Sequence, residues 1–329
     1  MSTLNNLKRI TQCMAWGVAF GLGFAAPAQA AYPEKPITLI VAYAPGGGTD
    51  LTARAIAPFI EKYLGNNARI IVLNKTGAGG GIGFAQLASS PADGYTIGMV
   101  NTPNLITIPI ERKSDFHWQR YDLLGNLVDD PGNFAVHADS PIKDLKGLAA
   151  YAKAKPGDVT VGTTGTGSDD HLAMLQFERA AGVKMTHVPF KGAAEVRTAV
   201  TGKQIVVAAI NVGEAMQALK GGAPIRNLGS MSAARTLLAP ELPTFKEQGF
   251  NIELASLRGL AAPKGLPADV REALVKAIAL SVNDPEFKAK AEQIYAPMRY
   301  LPPNSYGEAL RQAEAEFTAL WKVAPWAEK

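Results

Sequence analysis

The chain has 329 residues, with 33 Lys and Arg against 29 Asp and Glu and a single cysteine. This nearly balanced charge gives no electrostatic reason to expect a nucleic acid or an anionic membrane surface as a partner. One cysteine excludes a disulfide framework, and a chain of this length is expected to form about two domains.

The first 30 residues have the three-part layout of a secretory signal peptide. Lys8 and Arg9 precede an apolar run that is followed by the small-x-small motif Ala28-Gln29-Ala30. The apolar run is shorter than the ~20 residues that a membrane-spanning helix needs, which favours a cleaved leader over an anchor. Cleavage after Ala30 would leave 299 residues with 31 basic and 29 acidic side chains and no cysteine.

From residue 31 onward, strand-like and helix-like segments alternate, which predicts an α/β fold. In the first part we predict strands at 37–43, 69–74 and 95–100, and helices at 51–64 and 82–89. In the middle we predict strands at 134–136, 159–163, 186–190, 204–210 and 225–231, and helices at 144–155, 169–181, 193–201 and 214–220. A returning strand at 255–262 precedes predicted helices at 267–283, 285–294 and 303–322. Strands joined by helices predict parallel sheets that are covered on both faces.

Two similar halves are predicted, with boundaries near Asp130-Pro131-Gly132 and near residues 252–258. The first lobe would then be discontinuous, formed by residues 31–132 and 255–329, and the second lobe would be residues 133–254. Two strands would cross between the lobes and act as hinges. A cleft between two lobes is a common site for a small ligand.

Three glycine-containing loops follow predicted strands and open helices: Ala44–Asp50, Lys75–Gly83 and Thr163–Asp170. At such positions free backbone N–H groups and the positive end of a helix can bind a carboxylate or a phosphate. Tight turns would explain one such loop, whereas three in equivalent positions favour anion binding. None of the loops has a nucleotide-binding motif.

Ser168-Asp169-Asp170-His171 contains the residue types of a hydrolase triad. Triad members normally converge from separate segments, and Ser168 lacks the G-x-S-x-G context. An N-cap at Ser168, with both aspartates stabilised by the helix dipole, explains the cluster more simply. A secreted α/β hydrolase that uses Ser168 and His171 remains the alternative hypothesis. The other histidines lack the spacing of a metal site, so we predict neither catalysis nor a bound metal.

Three further side chains are candidates for the cleft. Arg258 lies in a mostly apolar returning strand, where it either faces solvent or aims its guanidinium at a ligand carboxylate. Lys191 is interpreted from the pattern alone as a loop lysine. Asn211 ends a predicted strand, so its amide either faces the cleft or caps the next helix.

Several segments occur in a fixed order along the exported chain: Ala44–Asp50 (APGGGTD), Asn74–Gly83 (NKTGAGGGIG), Gly162–Leu172 (GTTGTGSDDHL), His187–Gly192 (HVPFKG) and Ala261–Pro267 (AAPKGLP). With this ordered set the chain resembles the Bug-type substrate receptors of tripartite tricarboxylate transporters. The resemblance implies a two-lobed periplasmic-binding-protein fold of the type II Venus-flytrap kind, each lobe a central sheet flanked by helices. It also implies a periplasmic monomer without enzymatic activity or cofactor, which delivers a small organic acid to membrane permease subunits.

The resemblance also implies a set of ligand-binding residues, carried over by position. They are Tyr43, Ala44, Pro45, Gly46, Gly47, Thr49, Gly79, Gly80, Gly81, Ile82, Thr164, Ser168, Phe190, Lys191, Gly192, Ala193, Asn211 and Arg258. A dicarboxylate or an aromatic acid is the favoured ligand, because Arg258 would suit a second anionic group. Asn211 in place of an acid weakens the case for an amino acid. A ligand-dependent partner of a signalling protein would need the same closing lobes and remains an alternative to transport.

Overall fold

The computed structural model describes residues 32–327, so the predicted leader and its cleavage site lie outside the described residues. The strands are β1 Ile37–Val41, β2 Ile70–Asn74, β3 Thr96–Asn101, β4 Tyr121–His137, β5 Thr160–Thr163, β6 Thr186–Pro189, β7 Val207–Asn211, β8 Ile225–Ser230, β9 Ala255–Pro263 and β10 Met298–Leu301. The helices are α1 Gly48–Leu64, α2 Gly81–Ser89, α3 Asn104–Glu111, α4 Leu145–Ala154, α5 Asp169–Ala181, α6 Ala193–Thr201, α7 Val212–Lys220, α8 Ala268–Asn283, α9 Pro285–Gln293 and α10 Pro303–Val323. The α/β class predicted from the sequence is confirmed.

The strands form two sheets that share the 17-residue strand β4. The first sheet has the order β2-β1-β3-β9-β4, with β10 also paired to β4. The second sheet has the order β4-β7-β5-β6, with β8 also paired to β4. Along β4 the partner changes from β9 to β7 between Pro131 and Gly132. We call the parts of the molecule built on these sheets the first and second halves.

The prediction of parallel sheets is correct for only part of each sheet, because both sheets are mixed. Strand β1 is parallel to β2 and β3, and β5 is parallel to β6 and β7. Strand β9 runs antiparallel to β3 and β4, and β4 runs antiparallel to β7, β8 and β10. Strand β4 runs through both sheets, so it and the returning strand β9 are not joined to their neighbours by the single helical crossover that makes a pair of strands parallel.

Each half has its own apolar core. In the first half Phe84, Leu105 and Tyr306 belong to one buried cluster. In the second half Phe134 packs edge-on against Phe177 and Phe245, with ring centroids 5.6 and 5.3 Å away. Within residues 32–327 the helices are too short or too polar to cross a bilayer.

Candidate functional site

The loops at the carboxyl ends of β1, β2, β5 and β6 bring the two halves into contact. The backbone N–H of Ala44 donates to the carbonyl of Lys191 at 3.1 Å, and Arg197 donates to the carbonyl of Gly46 at 2.8 Å. A Cβ built at Gly165, whose φ is +118°, would lie 2.9 Å from the Cα of Gly79. Only glycine allows both this backbone conformation and this close approach. The two halves are therefore closed on one another.

A cavity of about 20 Å³ lies between the halves, and we call it the inner cavity. Its walls come from strand ends and helix starts of both halves: Tyr43, Gly47, Gly48, Thr49, Asn101, Asn104, Thr164, Asp169, Ala193, Asn211, Glu214, Ser256 and Arg258. A polar cavity of this volume holds about one water-sized group.

Arg258 is buried, and its guanidinium is engaged by protein groups. Its Nη2 donates to Asn211 Oδ1 at 2.9 Å and to Glu214 Oε1 at 3.2 Å. Asp130 Oδ2 lies 3.1 Å from the same nitrogen without an aligned N–H, so this contact is electrostatic rather than a hydrogen bond. Burial acts to lower the pKa of Arg258, but the attraction of Asp130 and Glu214 outweighs it and raises the pKa. Arg258 is therefore a buried cation that neutralises acidic groups of the protein.

Glu214 connects the two halves. Its Oε1 accepts a hydrogen bond at 2.9 Å from the N–H of Gly48, the first residue of α1, and its Oε2 accepts one from the N–H of Asn211 at 3.2 Å. A carboxylate is stabilised at both positions, because the first turns of α1 and α7 present unpaired N–H groups.

Asp169 and Asp170, at the start of α5, are also buried. Asp169 Oδ2 accepts from Asn211 Nδ2 at 2.7 Å, and Asp170 Oδ2 accepts from the Thr164 hydroxyl at 2.6 Å. Burial raises the pKa of Asp169 to about 6 against the hydrogen bond from Asn211. Burial and the neighbouring Asp169 charge raise the pKa of Asp170 well above its ordinary value.

Asp130 completes this group from the middle of β4, where its Oδ1 accepts from the Gly213 N–H at 3.0 Å. Burial raises its pKa to about 7, although the Arg258 charge acts in the opposite direction. Two carboxyl groups thus contact one guanidinium, and two more act on it through their charge. Among the described residues, no three His, Cys, Asp or Glu side chains are arranged to hold a metal ion.

A second cavity of about 330 Å³, which we call the outer pocket, lies at the edge of the closed cleft. It is lined by the glycine loop Gly77–Gly80, by Arg112, by Thr164–Thr166 and by Pro189–Lys191. Thr164 lines both the inner cavity and the outer pocket. The two cavities are therefore neighbours that share one wall.

The structure brings together most, but not all, of the residues that the sequence singled out. Those that line the inner cavity are Tyr43, Gly47, Thr49, Thr164, Ala193, Asn211 and Arg258. Those that line the outer pocket are Gly79, Gly80, Thr164, Phe190 and Lys191. Ala44, Pro45, Gly46, Gly81, Ile82, Ser168 and Gly192 lie outside both linings.

The inner cavity contains Gly48 of the predicted Ala44–Asp50 loop, but sequence reasoning missed Asn101, Asn104, Asp169, Glu214 and Ser256 as ligand-binding candidates. Asp169 lies in the first turn of α5, where the helix dipole gave a sufficient local explanation, and Glu214 is simply the residue at which the sequence predicts a helix to begin. The available signal was position, since each follows a predicted strand at the same sheet edge.

Ser168 and His171 do not form a nucleophile and base pair. The Ser168 Oγ accepts a hydrogen bond from the backbone N–H of His171 at 3.2 Å, and the His171 ring accepts one from the Gly167 N–H at 3.2 Å. Burial, together with the adjacent His187, lowers the pKa of His171 to about 3. Ser168 is thus the N-cap of α5, as the simpler interpretation held.

Replacing Ser168 with Ala should therefore lower the free energy of unfolding by about 1 kcal/mol, the usual value of a serine N-cap. Urea titration of the wild type and the variant measures this difference. Ser89→Ala is the control, because Ser89 is exposed and its hydroxyl donates to the carbonyl of Gln86. A loss of ester-hydrolysing activity in Ser168→Ala would contradict the capping role and revive the hydrolase hypothesis.

Two α/β halves closed over a polar cavity define the class of periplasmic solute-binding proteins. The solved structure of the periplasmic binding protein BugD is 29% identical, with a TM-score of 0.84 over 91% of this chain and 100% of that one. A structure of R. palustris Rpa4515 with adipate is 25% identical, with a TM-score of 0.84 over 90% of this chain and 99% of that one. These similarities confirm the two-lobed fold.

Residues 52–295 match the family described as TctC, tripartite tricarboxylate transporter family receptor, and the chain belongs to this family. The UPF0065 protein in the gbd 5′ region of Cupriavidus necator is 33% identical over 294 residues, which are 87% of this chain and 88% of that one. BugT of Bordetella pertussis is 31% identical over 251 residues, or 74% of this chain and 75% of that one. The family consists of solute receptors, so the chain is not an enzyme, and the resemblance stated from its motifs is confirmed.

Proposed function

We propose that the chain is a periplasmic receptor that captures a small organic carboxylate between its two lobes and delivers it to a tripartite tricarboxylate permease. The lobes would be residues 31–132 with 255–329 and residues 133–254, hinged on β4 and β9. Residues 1–30 would be the signal peptide, with cleavage after Ala30. The adipate bound by the similar R. palustris protein supports a carboxylate as the ligand.

The observation that carries this proposal is the outer pocket. The glycine loop Gly77–Gly80 approaches Gly165 and Thr166 across the cleft, and Arg112 and Lys191 add positive charge at its rim. Glycine loops that open helices present N–H donors to an anion, and the two cations add attraction for it. A carboxylate held there would contact both lobes and thereby favour closure.

The test is a calorimetric screen of the mature chain against organic acids, neutral sugars and amines. Binding by organic acids supports the proposal, and binding by sugars alone would contradict it. Delivery is tested in proteoliposomes that contain the permease subunits. Uptake of the bound acid should require the receptor, and uptake that proceeds equally without it would remove the transport role.

Closure itself can be tested at Gly192, which has an extended backbone that any residue adopts. A Cβ built there would lie 3.1 Å from Ala44 Cβ and Ala44 N in the other half. We expect Gly192→Val to weaken binding of the acid found in the screen roughly 5- to 100-fold, since overpacking costs about 1–3 kcal/mol and here acts only in the closed form.

Gly307→Val is the matched control, because a Cβ at Gly307 would meet only Leu123 Cδ1, at an ordinary 3.5 Å. Small-angle scattering with saturating ligand should show a larger radius of gyration for Gly192→Val than for the wild type or the control. Equal affinities in Gly192→Val and Gly307→Val would show that binding does not depend on this contact.

A further inference from the structure

The inner cavity has an excess of buried negative charge. Asp169 and Glu214 line it, Asp130 and Asp170 lie outside its lining, and all four are at most 6% exposed. Among the described residues that line the cavity, Arg258 is the sole basic side chain, and it pairs with Asp130 and Glu214. Buried carboxylates that exceed their cationic partners are costly, and a second cation would relieve that cost. Charge therefore makes this cavity suited to a positive group.

The volume of the inner cavity points to the same kind of group. At about 20 Å³ it accommodates one water-sized group but not a carboxylate with its three heavy atoms. A primary ammonium is a compact charge with three N–H donors, close to water in size. It would fit the closed cavity as it stands.

An observation independent of the acidic residues is an unpaired acceptor. Asn101 is 4% exposed and donates from Nδ2 to the Thr49 hydroxyl at 2.8 Å, whereas its Oδ1 is buried without a hydrogen-bond partner. Buried polar atoms normally have a partner, so this oxygen is an acceptor that a donor in the cavity, a water or a ligand group, can use. An ammonium supplies such donors, and a carboxylate, which only accepts, does not.

The outer pocket has the opposite polarity. Lys191 and Arg112 line it together with the backbone of Gly77–Gly80. Asn104, which lines the inner cavity, has a buried Nδ2 without a hydrogen-bond partner, and this nitrogen lies 3.0 Å from a Cβ built at Gly79 in the outer-pocket wall. Among the described residues, two cations thus line the outer pocket, whereas two acids and one cation, Arg258, line the inner cavity, with Asn104 at the boundary between them.

We infer that the ligand is an aminocarboxylate, with its ammonium group in the inner cavity near Asp169, Glu214 and Asn101 and its carboxylate in the outer pocket. This inference rests on the proposed function and narrows its substrate class. It also changes the expectation from sequence, which disfavoured an amino acid because position 211 is an amide. Asp169 Oδ2 lies 2.7 Å from that amide nitrogen, so the acid is supplied by α5 instead.

The test uses wild-type mature chain and probes that differ only in their end groups. Calorimetry at pH 8 compares succinate, 4-aminobutanoate and 1,4-diaminobutane, then malonate, β-alanine and 1,3-diaminopropane, then adipate, 6-aminohexanoate and 1,6-diaminohexane. We expect the aminocarboxylate to bind most tightly in at least one series, roughly 10- to 100-fold more tightly than the matching dicarboxylate, as for a charge-assisted hydrogen bond.

The outcomes separate the inference from the proposed function. Dicarboxylates that bind as tightly as the aminocarboxylates, or more tightly, overturn the inference and leave the carboxylate receptor intact. Binding by diamines alone overturns both. Absence of binding by every aminocarboxylate overturns the inference as well.

A variant pair tests the inner cavity directly. Asp169→Asn keeps the shape and removes the charge, and it should weaken the aminocarboxylate roughly 10- to 100-fold while leaving or improving dicarboxylate binding. Asp139→Asn is the control, because Asp139 is an exposed acid paired with Lys203. Glu214→Gln serves as a second variant should Asp169→Asn not fold, as judged by circular dichroism. Equal weakening of both ligand classes would show a structural role only and contradict the inference.

Discussion

Replacing Arg258 with Met is expected to lower the free energy of unfolding by roughly 3–5 kcal/mol at pH 8, the range for breaking a buried ion pair by removing one partner. Met keeps much of the apolar stem but removes the only cation beside Asp130 and Glu214 in the described lining of the cavity. Those carboxylates would stay buried without compensation. Urea unfolding of the mature chain, followed by circular dichroism, measures the difference.

Arg235→Met is the matched control. Its Nε lies 3.0 Å from Glu247 Oε1, but both side chains are more than 40% exposed, and an exposed pair contributes only about 0–1 kcal/mol. If Arg258→Met and Arg235→Met were equally stable, the buried acids would not depend on the guanidinium, and protons would have to neutralise them instead. A large loss for Arg258→Met alone supports the ion-pair role.

This role differs from the one that the sequence suggested for Arg258. From the strand alone, the side chain could face solvent or bind a ligand carboxylate. The structure shows that its Nη2 already has Asn211 and Glu214 as acceptors. Those partners lie about 45 residues away along the chain and reach Arg258 only because β7 and β9 both pair with β4. No local pattern contains that information.

Helices whose ends are fixed by capping residues were predicted correctly from the sequence. Helices α5 and α6 begin and end where the sequence indicated, because Ser168 caps the first and glycines flank the second. The sequence predicts only residues 134–136 of strand β4. The rest of the strand is not predicted, because Asp129, Asp130 and the Pro131-Gly132 pair interrupt its apolar pattern. A strand whose acidic residues are buried against partners from other elements does not show the usual alternation. Helix α3 and strand β10 were missed as well.

In the candidate site, too, the features with a local signal were predicted and those that depend on tertiary structure were not. The three glycine loops were found because glycine has a direct backbone meaning. The acids were missed because Asp169 had an adequate local explanation in the first turn of a helix and nothing in the local sequence sets Glu214 apart. Only tertiary structure shows that the helix starts of α5 and α7 meet Asp130 around one guanidinium.

The free energy of unfolding should also fall as the pH rises from 5.5 to 8. The folded-state pKa of Asp130 is raised by burial from 3.8 to about 7, and that of Asp169 to about 6. In this range the unfolded chain has already lost these protons, while the folded chain still holds them until the pH passes the raised values. The proton that Asp130 binds in the folded state therefore stabilises the fold at low pH, and this stabilisation is lost as the pH rises through 7. From pH 5.5 upward the loss in the free energy of unfolding is on the order of 2 kcal/mol.

The variant Asp130→Asn tests whether Asp130 is the group that causes this pH dependence of stability. The amide oxygen can still accept from the Gly213 N–H, but no proton has to be bound. We expect this variant to be more stable than the wild type at pH 8 and to vary less with pH. Asp284→Asn is the control, because the Lys62 ammonium helps to hold the pKa of Asp284 near 2, so that it stays ionised throughout the range. If Asp130→Asn kept the full pH dependence, the titrating group would lie elsewhere. If the dependence were lost, the buried acids would carry protons at low pH, which a cationic ligand would have to displace in order to bind beside them.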